Sequence, residues 1–130
     1  DTDLQIPNAD QYVTWRANNT NGSLTSPADS LDFYRMGNNT AVYGMSQPVR
    51  SNYFELSFDG PQQNGNYTAT NFVVVAGGKH YYPASTPVQV MVTSYGSAGK
   101  YIVGTYTGNA TDSASLSVVP VSGAFRIKNN

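Results

Sequence analysis

The chain contains no cysteine, which excludes disulfide staples and thiolate metal sites. Charge is scarce as well. Seven Lys and Arg residues stand against eight Asp and Glu, 12% of the chain together, for a net charge of −1. That is about half the usual charged share. The basic residues Arg16, Arg35, Arg50, Lys79, Lys100, Arg126 and Lys128 form no run. Nucleic acid and anionic lipid surfaces are therefore not expected as partners, because neither is held without clustered cations. Long apolar runs are missing too. The longest, around Phe72 to Ala76, is strand-length, against the roughly 18 residues that a membrane-spanning helix needs. No window carries a helical period, and histidine occurs once, as His80.

What is present points to strands and turns. A length of 130 residues fits one domain with a core of its own, so residues 1–130 are read as a single unit. Tyr, Val and Thr suit a pleated, half-buried surface, while Ser, Asn and Gly favour turns. Period-two alternation is plain in NYFELSFD, where Phe54, Leu56 and Phe58 oppose Tyr53, Glu55, Ser57 and Asp59. It recurs in PVQVMVTSY, with Val88, Val90 and Val92 on one face, in KYIVGTYT, and in GAFRIK. YVTWRA, SLDFYRM and TAVYGMS are shorter versions, and NFVVVA is apolar on both faces, as for a strand covered on both sides. Turn signals at Gly37-Asn38-Asn39, Asp59 to Asn66, Gly77-Gly78 and Gly96 to Gly99 separate these pieces. The expected fold is all-β: an antiparallel β-sandwich of about nine short strands, with a partly closed barrel as its variant.

Catalytic machinery is not expected. His80 lies in KHYYP beside tyrosines, Ser97 in YGSAG has the wrong spacing for a nucleophile elbow, and a glycosidase needs two opposed carboxylates. Glu55 with Asp59, or Asp29 with Asp32, are conceivable as such pairs, and solvation explains Glu55 and Asp59 better. Asp1, Asp3, Asp10, Asp29 and Asp32 read as turn-capping side chains rather than a calcium loop. No cofactor and no metal are expected. The aromatic residues are the stronger binding candidates: Trp15, Tyr53, Tyr81 and Tyr82 offer ring faces on which sugars stack. N-x-[ST] sequons occur at Asn18, Asn21, Asn38, Asn66 and Asn109. Residues 1–11 form a candidate N-terminal arm that packs on its own sheet or adds an edge strand to a neighbour.

The C-terminal part carries a pattern: Gly104-Thr105-Tyr106 with Gly108, then Asp112-Ser113, then Gly123, Phe125 and Ile127. This G-T-[FY]-x-G hairpin followed by a G-x-F-x-[VI] strand resembles small domains of Bacteroidota surface lipoproteins. Trp15-Arg16-Ala17 and the NGNYT segment fit the same layout more loosely. The resemblance implies export to an extracellular or cell-surface, outer-membrane-associated setting. It also implies a signal peptide and a lipidated cysteine upstream of Asp1 as the sole membrane link. It implies further O-glycosylation at Ser30 in Asp29-Ser30-Leu31 and at Ser113 in Asp112-Ser113-Ala114. The expected function is a non-catalytic structural or interaction module, a surface-lipoprotein domain or a subunit of an extracellular assembly, whose partner is another protein, itself or a glycan. The alternative is a carbohydrate-binding module that uses exposed Trp and Tyr.

Overall fold

Each alternating stretch becomes a strand. The computed structural model describes residues 6–129. Its elements are β1 (Tyr12–Ala17), β2 (Thr20–Thr25), β3 (Ser30–Met36), β4 (Asn39–Met45), β5 (Tyr53–Asp59), β6 (Gly65–Ala76), β7 (Lys79–Pro83), β8 (Gln89–Tyr95), β9 (Tyr101–Asp112) and β10 (Val118–Lys128). All strand pairs are antiparallel, and no helix occurs among the described residues. The strands form one sheet in the order β2, β1, β10, β9, β7, β6, β5, β4, β3, with β8 also joining β6 to β9. That sheet folds back on itself, so Trp15 of β1 stacks on Phe54 of β5, ring centroids 6.5 Å apart. The result is an antiparallel β-sandwich verging on a partly closed barrel.

β7 and β8 explain how ten strands fill nine places in the sheet. β7 pairs with the end of β6 and the end of β9, whereas β8 pairs with the start of each. The two therefore lie end to end as one interrupted strand. The break falls at residues 84–88, between Pro83 and Pro87, where missing N–H groups stop the ladder. A bond from the Ala69 N–H to the Val88 carbonyl (2.8 Å) spans it. The Gly77-Gly78 turn that joins β6 to β7 has φ of 58° and 80°, as a two-residue hairpin of the primed type requires.

The core is aromatic and dry. Phe54 meets Phe72 edge-on at 6.1 Å and Tyr106 at 5.7 Å. Phe58 lies 4.8 Å from Tyr67. Two glycines admit these rings. A Cβ on Gly123 would stand 2.1 Å from the Thr14 carbonyl and 2.4 Å from the Tyr106 hydroxyl. A Cβ on Gly104 would stand 2.6 Å from the Phe125 ring. The register opposes Gly104 to Phe125 and Gly123 to Tyr106, so each ring on β9 or β10 lies over the glycine of the other strand. The Gly-Thr-Tyr and Gly-x-Phe patterns are thereby a reciprocal packing device.

The sheet's two free edges, β2 and β3, meet at a seam that Leu24 and Leu31 fill above Gly44, within 2.9 Å and 2.5 Å of where its Cβ would be. Two details depart from the sequence expectation. NFVVVA is buried on one face only, since Val73 and Val75 are half-exposed. Five stretches are also longer or newer than their patterns: β2, β7, and the extensions of β6, β9 and β10. Of the expected N-terminal arm, residues 1–5 lie outside the described residues. Residues 6–11 form no strand. They are held by Asp10, which accepts from the Tyr101 hydroxyl (2.7 Å) and, through its carbonyl, from Arg126 (2.9 Å).

Candidate functional site

The expected aromatic candidates part company in the structure. Trp15 and Tyr81 are core residues, 3% and 2% exposed, so neither presents a ring to solvent. Trp15 lies flat over Gly22 of the neighbouring strand. Its inward direction follows from β1, which is buried at nearly every position because β2 and β10 flank it and β5 covers it. Tyr82 is exposed and pairs with the His80 ring, hydroxyl to Nδ1 at 3.2 Å. Tyr53 is half-exposed on β5.

Tyr53 belongs to a group of three. Pairing sets Tyr34 opposite Ala41, Tyr43 opposite both Asp32 and Glu55, and Tyr53 opposite Met45. Tyr34, Tyr43 and Tyr53 thus step diagonally across β3, β4 and β5 on the outer face, with Asp32 and Glu55 on either side of Tyr43. The inner face of the same strands carries Leu31, Phe33, Val42, Phe54 and Leu56, so period-two alternation alone turns the tyrosines outward. Beyond Tyr53 the face runs through Val75 to His80. Sequence reasoning missed Tyr34 and Tyr43, and weighed Asp32 and Glu55 only as carboxylate pairs with Asp29 and Asp59. The signal was available in the Gly37 turn, which fixes the β3–β4 register and so places Asp32 beside Tyr43.

Two shallow clefts share Tyr43 and Tyr53. One, of about 390 Å³, is walled by Tyr34, Tyr43, Tyr53 and Glu55 over Ala41. The other, of about 530 Å³, continues past Asp32 and Met45 to Asp29, Ser30, Gln47 and Arg50. Hydroxyls and carboxylates lock together here. Tyr43 donates to Asp32 (3.3 Å) and Tyr53 to Glu55 (2.6 Å). The second Glu55 oxygen accepts from Asn71, and the second Asp32 oxygen from the Phe33 N–H (2.8 Å). Partial burial, then the Glu55 bond and charge, push the Tyr53 hydroxyl up to about 12. Burial and Asp32 likewise raise Tyr43. The site is a rigid aromatic platform edged with acceptors and amides. Such a surface stacks on apolar ring faces and hydrogen-bonds to hydroxyl groups.

Other expected positions lie elsewhere. Among the described residues no three His, Asp or Glu side chains come together as metal ligands; Asp1 and Asp3 lie outside the described residues. Asp29 caps the β2–β3 turn, accepting from the N–H groups of Thr25 (2.9 Å) and Gln47 (3.3 Å). Asn18, Asn21, Asn38 and Asn66 are exposed, and Asn109 is half-buried. Ser30 and Ser113 are exposed, with Ser30 on the rim of the larger cleft.

The fold and this face together describe an all-β domain with a preformed outer aromatic platform. Comparison with protein-family models, with curated proteins and with solved structures finds no match to this chain.

Proposed function

We propose that this protein is a non-catalytic, exported interaction module that binds a glycan at the cell surface through the outer face of β3, β4 and β5. The observation that carries this reading is the diagonal of Tyr34, Tyr43 and Tyr53, aligned outside the core with hydroxyls fixed by Asp32 and Glu55. Aromatic cross-strand pairs can stabilise a sheet on their own. These rings, however, adjoin open clefts rather than a covering layer. Preorganised rings and acceptors lose little freedom when a sugar docks. The absence of a catalytic role accords with the partners of the polar groups: His80 faces Tyr82, and Asp32 and Glu55 hold tyrosine hydroxyls. Export and surface tethering through an upstream lipidated cysteine are supported by the lipoprotein-like C-terminal pattern and the low-charge composition.

Affinity measurements on a panel of neutral and charged oligosaccharides test the reading. Binding is expected for the native chain and lost in the Tyr43→Ala, Tyr53→Ala double variant, with the unfolding midpoint nearly unchanged. A variant that binds as well as the native chain sinks the assignment of the face.

A second reading is a structural subunit of a surface assembly. Tyr34 and Met36, exposed on β3 at the end of the strand order, favour this alternative. Light scattering distinguishes it, since a monomer at all concentrations speaks against self-assembly.

A further inference from the structure

We infer that the cleft between Tyr34, Tyr43 and Tyr53 recognises a positively charged nitrogen, so that its glycan is an amino-sugar polymer with protonated amines. This deepens the glycan reading and rests on it. Three electron-rich rings converge on one cleft, and a cation over such a ring is attracted by its quadrupole. Asp32 and Glu55 flank the central ring in a single cross-strand row. Each carboxylate spends one oxygen on a tyrosine hydroxyl and the other on an N–H donor. Two carboxylate oxygens offer about four lone-pair sites, so acceptor capacity remains for an ammonium group.

The charges bonded to the Tyr43 and Tyr53 hydroxyls are both negative. The groups that act on the Tyr43 and Tyr53 hydroxyls electrostatically are Asp32, Glu55 and neighbouring tyrosines, with no cation among them. Arg50, the one cation lining the adjoining cleft, is exposed in the loop between β4 and β5. At the three rings a sulfated or uronic glycan would meet the two carboxylates, with Arg50 only in the adjoining cleft, and that like-charge contact disfavours it. A neutral glycan gains stacking alone. A protonated amine gains stacking, the ring quadrupoles and both carboxylates.

Titration calorimetry on the full chain, in mildly acidic low-salt buffer, compares a β-1,4-linked glucosamine oligomer with its fully N-acetylated counterpart. A β-1,4-linked glucose oligomer and tetramethylammonium serve as further probes. The glucosamine oligomer is expected to bind at least about fivefold more tightly than the other two sugars. Added salt should narrow that preference. Asp32→Asn, whose Oδ1 still accepts from the Phe33 N–H and whose Nδ2 donates to the Tyr43 hydroxyl oxygen in place of the bond it received, and Glu55→Gln should each reduce it, and Tyr43→Ala should abolish binding. Equal affinity for acetylated or neutral oligomers overturns the amine inference and leaves the glycan reading standing. Binding of tetramethylammonium with no sugar bound supports the cation site and overturns the glycan reading. No binding of any probe overturns both.

Discussion

Tyr106 and Tyr43 are the same residue type on neighbouring layers of one sandwich, and they do opposite things. Tyr106 is fully enclosed, lies over Gly123, and donates its hydroxyl to the Thr14 carbonyl at 2.8 Å. That bond ties β9 to β1 across β10. Tyr43 lies outward on β4, and its hydroxyl reaches a carboxylate at the rim of an open cleft. The inner tyrosine satisfies its polar end so that it can be buried. The outer tyrosines satisfy theirs while keeping their faces free. Aromatic content alone therefore says nothing about binding; what matters is where the hydroxyl finds its partner.

Substitutions that break this comparison have a clear order of size. Trp15→Ala removes a large core ring from beneath Gly22 and is expected to cost about 3–5 kcal/mol by urea unfolding. A loss below about 1 kcal/mol would show that Trp15 is not core. Gly123→Ala forces a methyl group into the Thr14 carbonyl and the Tyr106 hydroxyl. It is expected to cost about 1–3 kcal/mol or more, and pairing it with Tyr106→Phe should recover part of that loss. Tyr106→Phe alone leaves the ring in place and should cost about 1–2 kcal/mol. At the small end, Tyr43→Ala is expected within about 0.5 kcal/mol of the native chain. A cost as large as that of Tyr106→Phe would make Tyr43 a structural residue and erase the contrast.

Alkaline pH sharpens the same contrast. Burial raises the Tyr106 hydroxyl well above its ordinary 10.0, and Tyr53 rises to about 12. The folded state thus holds these protons more tightly than the unfolded chain. The resulting stability is fully present below pH 10.0 and is lost as pH rises through the folded values. Unfolding midpoints measured across that range should fall steeply in the native chain. Tyr106→Phe should flatten most of the fall. Tyr53→Phe should flatten less of it, because solvent screens that half-exposed group. Equal flattening by both would contradict the difference in burial.

Much of the fold was legible because its strands alternate. Phe54, Leu56 and Phe58, Val88, Val90 and Val92, and Phe125 with Ile127 all face inward as their spacing requires. The Gly96 to Gly99 hairpin joins β8 to β9 as expected. β2 escaped because TNGSLT buries a single apolar residue, Leu24, and its place is set by pairing with β1 rather than by hydrophobic pattern. The split between β7 and β8 leaves no hydrophobic pattern in the sequence, only Pro83 and Pro87, which suit an edge or a turn equally well. Of the four expected aromatic candidates only Tyr53 belongs to the site: Tyr82 is exposed beside His80, whereas Trp15 and Tyr81 are core. A ring's direction depends on strand parity and on what covers the strand, and YVTWRA alternates too weakly to show either. Pro120 illustrates the same dependence. It lies inside β10, but its carbonyl accepts from the Asn18 N–H (3.0 Å) just where β1 has ended. The N–H it lacks would have pointed to that same vacant side, so the ladder with β9 is intact.

The order of the strands carries a consequence for how the chain is made. From β3 to β10 the sheet is a meander in which successive strands pair as they appear, β7 and β8 sharing one place. The hairpin of β1 and β2 is different, since its only other partner is β10, more than a hundred residues on, as the Thr14 to Ala124 bond shows. On a growing chain this hairpin has no strand to pair with until β10 has been synthesised, although Trp15 already has Phe54 of β5 to stack on and Leu24 has Leu31 beside it over Gly44. Pairing β1 with β10 closes the sheet only after every strand between them has been made.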